Sequence, residues 1–162
     1  MTLTWPLRQR RNHRGWFPDM IKLPLPAKPT IEDVLHCFLE DRTGSLGPAT
    51  RRRYASVIRL FTISMNNYAY QPLSKAEKMI FDRFYDAEGD EHREFCQVFG
   101  PQKIPENVGE FLGYFMPRKV ICGKGLKQAA RVVIRRLAMW LYKRGDIDKE
   151  SAAAMIARSK DR

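Results

Sequence analysis

The stretch KGLKQAARVVIRRLAMWLYKR, Lys124 to Arg144, decides the fold. Read at 3.6 residues per turn, Leu126, Ala130, Val133, Leu137 and Leu141 fall on one side, and Ile134 and Trp140 widen the stripe. The recurrence predicts an amphipathic helix lying against a core. Lys124, Lys127, Gln128, Arg131 and Arg135 follow the same spacing on a different face, a line of cations along about three turns. No Pro interrupts the run, Gly123 and Gly125 stand at its start, and Gly145 follows where a helix C-cap belongs. Lys and Arg are good helix formers and commonly do no more than solvate an outward face. Between Lys124 and Arg144, however, there is no Asp or Glu, so ion pairs within the helix do not account for these cations. One face is for packing, and the other is open to something negative.

Composition sets the bounds. A chain of 162 residues, 44% hydrophobic and 29% charged, is one ordinary globular domain with or without a tail. No run approaches the ~18 to 20 apolar residues of a membrane span, and no apolar segment follows the early basic residues as a secretory signal requires. The net charge is +11, distributed as +5 in residues 1–29, +1 in 30–71, −3 in 72–100 and +8 in 101–162. Positive charge is thus gathered in an N-terminal arm and the C-terminal third, and a polyanion is the natural partner. A membrane surface fits the charge less well, because the 124–144 helix spends its apolar face on a core. Cys37, Cys96 and Cys122 are widely spaced with no C-x-x-C, which reads as reduced thiols in a cytoplasmic protein. His13, His36 and His92 are equally scattered, so neither a metal site nor a cofactor is expected.

Taken in order, residues 1–29 form an irregular arm in which Pro6, Pro18, Pro24, Pro26 and Pro29 forbid a long helix. Arg8, Arg10, Arg11 and Arg14 make it basic, suited either to tracking a phosphate backbone or to remaining a solvated extension. Thr30 is a predicted N-cap with acidic residues behind it, and Ile31, Val34, Leu35, Phe38 and Leu39 give the apolar face of a helix over roughly 31–42. Gly47-Pro48 opens a second helix to about 68, with Tyr54, Val57, Ile58, Phe61 and Met65 inward and Arg52, Ser56 and Arg59 outward. Arg51, Arg52 and Arg53 in its first turns oppose the helix dipole, an inconsistency expected of a working surface. Residues 72–103 read as a helical insertion with Ala76, Met79, Ile80 and Phe84 in register, followed by the acidic run DAEGDEHREF. Pro105 starts a short helix carrying Val108, Phe111, Leu112 and Phe115, which Pro117 should end. After Gly145, Asp148 is a plausible N-cap for a last helix from 149 to about 157, leaving 158–162 as a polar tail.

The order of three blocks resembles the core-binding, SAM-like N-terminal domain of tyrosine recombinases and phage integrases. TIEDVLHCFLEDR is similar to that family's opening helix. GPATRRRYASVIRLF is similar to its S-x-x-T-x-x-x-Y-x-x-x-L-x-x-F helix, with Thr50, Tyr54, Ile58 and Phe61 in the matching places. VVIRRLAMWLYKRGDIDKESAA is similar to L-x-x-F-x-x-W-L-x-x-x-G-x-I-x-x-x-P-A through Ile134, Leu137, Trp140, Leu141, Gly145, Ile147 and Ala152, with Ser151 where the family usually has Pro. The resemblance covers about residues 30–157, and the 72–103 segment is longer than the family's usual connection. It implies an all-α fold, a small orthogonal bundle of four to six helices, with its second and fourth helices nearest the grooves of double-stranded DNA. The residues expected to touch DNA are then Thr50, Arg51, Arg52, Arg53, Arg59, Lys124, Lys127, Gln128, Arg131 and Arg135, joined by Arg8, Arg10, Arg11 and Arg14 of the arm.

The family's catalytic domain, with its nucleophilic Tyr and H-x-x-R motif, has no counterpart here. His13, His36 and His92 are followed at the third place by Trp16, Leu39 and Phe95. The expectation is therefore a non-enzymatic DNA-binding protein of recombination or integration, cytoplasmic and nucleoid-associated. Other recombinase subunits or an accessory protein are its further partners. The competing expectation is a helical protein–protein interaction module, in which the acidic insertion and aromatic arm carry the contacts.

Overall fold

The Asp33 N–H donates to the Thr30 hydroxyl at 3.1 Å, and the Thr30 N–H donates to the Asp33 carboxylate at 3.0 Å. This reciprocal capping box opens α1, Ile31–Thr43, in a computed structural model that describes residues 25–160. Gly47 and Pro48 start α2, Pro48–Tyr68, and Ser74 caps α3, Lys75–Tyr85, through the Glu77 N–H. A single 3-10 turn, Gly89–Glu91, leads to the short α4, Phe95–Val98, and two more 3-10 turns, Pro101–Lys103 and Pro105–Asn107, follow. The next rod changes its winding as it goes: α5, Val108–Glu110, a π-helical stretch, Phe111–Phe115, and α6, Met116–Lys119. Then come α7, Lys124–Arg144, and α8, Lys149–Lys160. No strand occurs among the described residues, so the all-α expectation holds.

The core is built on α7. Ala130, Val133, Ile134, Leu137, Ala138, Trp140 and Leu141 are buried, as its periodicity predicts. On this stripe rest α8 and α2, and α1 closes over its C-terminal half. Trp140 locks that last contact. Its ring meets Phe38 edge-on at 5.4 Å, its indole N–H donates to the Asp41 carboxylate at 2.6 Å, and the Arg144 guanidinium covers it at 4.5 Å. Phe61 of α2 packs edge-on against Phe111 at 4.8 Å and ties in the π stretch. Each fully buried Phe of this kind contributes about 1.5–3 kcal/mol of hydrophobic stabilisation.

Gly145 turns the chain from α7 into α8. It sits at φ 80°, a left-handed conformation that glycine adopts freely, and the Asp146 N–H reaches back to the Leu141 carbonyl at 3.0 Å. Asp148 then caps α8, accepting from the Ser151 N–H at 2.7 Å.

Four details differ from the sequence expectations, the first being that the described residues hold more helices than the four to six expected, because the chain between 72 and 119 breaks into several short ones. In α3 the buried positions are Phe81 and Phe84, while Met79 is 68% exposed. The reason is aromatic: Phe81 stacks on Tyr70 at 6.1 Å and meets Phe95 at 6.0 Å, and burying that ring outweighs burying a methionine. Pro117 does not end its helix. It lies within α6, directly after the π stretch, where the hydrogen-bond ladder has already widened and crowding of the preceding carbonyls by the ring is relieved. Finally, α8 runs to Lys160, because Ser159 is fully buried and its hydroxyl is satisfied by the Ile156 carbonyl at 2.6 Å.

Two of the cysteines are set apart by environment. Cys37 is exposed on α1, whereas Cys96 is completely buried, and burial pushes its thiol pKa up. In native protein at neutral pH a thiol reagent should label Cys37 at once and Cys96 only after denaturation, as peptide mapping will report. The Asp33 carboxyl is held below its ordinary range by hydrogen bonds from the Thr30 backbone and hydroxyl. A carboxylate with a lowered folded pKa stabilises the protein above its unfolded value near 3.8 and loses that contribution as pH falls through the folded value. Thr30→Ala should cost about 1 kcal/mol in urea denaturation at pH 7, and the gap to the native protein should narrow in strong acid.

Candidate nucleic-acid interface

Five helices of the molecule have eleven residues or more, and their N-termini fall into two groups. Those of α1, α3 and α8 are satisfied by the side chains of Thr30, Ser74 and Asp148. Those of α2 and α7, each 21 residues long, begin at Gly47 and Gly123 with no side-chain cap and no acidic residue in the first turn. Their first backbone N–H groups and the positive end of the dipole are therefore left to whatever the solvent offers. At these same two ends the sequence places cations: Arg51, Arg52 and Arg53 on α2, and Lys124 and Lys127 on α7, all exposed.

On α2, Tyr54, Val57, Ile58, Phe61 and Met65 point inward. Thr50, Arg51, Arg52, Arg53 and Arg59 are exposed, and the four arginines enter no ion pair among the described residues. On α7, Lys124, Lys127 and Gln128 are exposed, while Arg131 and Arg135 are half-buried on the flank of the apolar stripe. Arg131 is also held by structure, its guanidinium donating to the Ser159 carbonyl at 3.2 Å. In the acidic region Asp82 pairs with Lys78 at 3.8 Å and the Glu94 carboxylate lies 3.6 Å from the His92 ring, and among the described residues no ion pair joins this region to Arg51, Arg52, Arg53, Arg59, Lys124 or Lys127. Glu77 and Glu106 are taken by Lys103, at 2.6 and 3.6 Å. Burial lowers the Lys103 pKa, but the hydrogen bond its ammonium donates to the Glu77 carboxylate and the charge of Glu106 outweigh that and leave the ammonium above its ordinary value.

The predicted residues are thus gathered in part. Lys127 and Arg131 meet in one cleft of about 420 Å³, whose other wall is Gly109, Leu112, Gly113, Met116 and Pro117. No arginine of α2 lines that cleft. Arg8, Arg10, Arg11 and Arg14 lie outside the described residues. The residue that sequence reading missed is Arg158, the third cation of the cleft, assigned there to a polar tail. Its guanidinium lies across Gly109, where a Cβ would collide with it. The only signal in the sequence was the pair Gly109 and Gly113, one turn apart, and glycines at that spacing have many explanations. Among the tyrosines, Tyr54 is buried against Phe38, and Tyr68 packs edge-on to Tyr114 at 5.7 Å. Tyr114 in turn carries Arg118 and Lys119 over its ring at 5.9 and 5.8 Å.

Comparisons with protein-family models, with curated proteins and with solved structures found no match.

Gly109→Ala meets only the mobile end of Arg158, so it should change stability by less than about 1 kcal/mol in thermal denaturation while displacing the guanidinium. The displacement is checked by the NMR shift of the Arg158 Nε–H signal.

Proposed function

We propose that this chain binds double-stranded DNA without cutting it, as the core-binding module of a tyrosine recombinase or integrase, or as a stand-alone relative that occupies a recombination site. The observation that carries the reading is the coincidence at α2 and α7. The two longest helices begin with cations and have neither a side-chain cap nor a first-turn acid, whereas α3, whose Lys75 and Lys78 have the spacing of Lys124 and Lys127, carries Glu77 and the Ser74 cap beside them. A phosphate oxygen accepts from free helix N–H groups and is attracted by the dipole and by flanking Arg or Lys, so each end suits a point on a DNA backbone. The order of the three sequence blocks supports a SAM-like bundle, and the all-helical fold is compatible with it. In this reading Arg51, Arg52, Arg53, Arg59, Lys124 and Lys127 position the domain on phosphates, while Thr50 and Gln128 are the neutral polar side chains available for base edges.

A second reading has one observation of its own. Met79, 68% exposed, and Tyr85, 45% exposed, stand on α3 of the net-negative 72–100 segment, where a protein partner would find apolar anchors. In that case charge reversal at Lys127 and Arg131 leaves the function unchanged.

Fluorescence anisotropy with a labelled duplex at 50–200 mM salt separates the two. With about four phosphates engaged, affinity should fall roughly a hundredfold over that range. Arg52→Ala and Arg59→Ala should each reduce the slope of log K against log salt by about 1, uniformly across DNA sequences. Absence of duplex affinity even at low salt would overturn the proposal.

A further inference from the structure

The cleft between the 108–119 rod, α7 and α8 does more than continue a cationic surface. Three positive side chains from two helices converge in it: Lys127 and Arg131, one turn apart on α7, and Arg158 from α8. No carboxylate lines it among the described residues. Cations brought to one concave, partly apolar surface raise its positive potential and attract an anion.

Arg131 is held in place by its hydrogen bond to the Ser159 carbonyl, and the exposed Arg158 lays its guanidinium across the bare Cα of Gly109. The opposite wall is kept low in a specific way. At Gly113 a Cβ would meet nothing within 4 Å, so the backbone there stands open to close approach. Gly113 lies inside the π-helical stretch Phe111–Phe115, and π turns within α-helical rods occur frequently at functional sites. A volume of about 420 Å³ falls in the range of small-molecule sites.

We propose that this cleft is a phosphate-binding site. Arg131 and Arg158 offer planar donor forks to the oxygens of one phosphate, Lys127 adds a point charge at the mouth, and Gly109 and Gly113 keep the facing wall clear. The site goes beyond the DNA-binding reading, because a free polyphosphate and a nucleic-acid backbone both supply the group it fits. Both sources present the same tetrahedral oxyanion.

Two titrations followed by ¹H–¹⁵N NMR, one with pyrophosphate and one with a 20-base-pair duplex, test it. Saturable shifts of the Gly109 and Gly113 amides and of the Arg158 Nε–H are expected with pyrophosphate. Arg158→Gln and Lys127→Gln should each weaken that binding about tenfold, and Arg52→Gln should leave it unchanged. Gly109→Ala, which keeps all three charges but unseats Arg158, should weaken it as well. Pyrophosphate binding without duplex binding would uphold the cleft and sink the DNA reading. Cleft shifts with duplex alone, abolished by Arg158→Gln, would uphold the cleft and identify a backbone phosphate as its ligand. If shifts stay linear and Arg158→Gln behaves like the native protein in both titrations, the proposal is overturned, whatever the affinity of the remaining surface for DNA.

Discussion

Seven side chains of α7, from Ala130 to Leu141, leave water together, and no single neighbouring helix covers them. The stripe they form is shared among α8, α2 and, at Trp140, α1. Trp140 shows how tightly that need is specified, since its ring, its N–H and its outer face are each engaged by a different residue. Once the stripe is covered, the remaining surface of α7 is fixed in direction. The cations at Lys124, Lys127, Arg131 and Arg135 stand where they do because the apolar positions leave them no other side of the rod. Packing therefore sets the placement of charge.

The placement has an electrostatic cost, and the molecule contains its own controls for it. Where a helix start serves structure alone, as at Thr30, Ser74 and Asp148, the chain supplies an oxygen to the bare N–H groups. At Gly47 and Gly123 it supplies none and adds like charge to the positive dipole end. Local rules are broken at just those two long helices, which is where a sequence selected for something other than stability is expected to break them.

Much of this was legible beforehand because it rests on short-range signals. Thr30, the Gly47-Pro48 pair and Gly145 mark helix ends by their own backbone chemistry, and the bounds of α2 and α7 follow from them. Signals failed where a distant partner decided the outcome. Met79 loses the inner face of α3 to Phe81 because Tyr70, Phe95 and Phe99 offer a ring something to stack on. Pro117 continues a helix because the turn before it has already widened. Arg158 was out of reach for the same reason: its neighbours Gly109 and Arg131 are remote in the chain, and nothing in the run IARSK announces them.

The left-handed turn at Gly145 makes α7 and α8 an antiparallel pair of matched phase. Arg131 and Ser159 lie equal distances before and after that glycine, and their hydrogen bond records the match. A helix advances about 1.5 Å and rotates about 100° for each residue. One residue gained or lost between Gly145 and Asp148 would therefore slide α8 along its own axis and swing Arg158 to another quadrant. The length of this hairpin, as much as the identity of its side chains, is what keeps three cations facing one space, and a relative that shared the residues but not the spacing would carry a different surface.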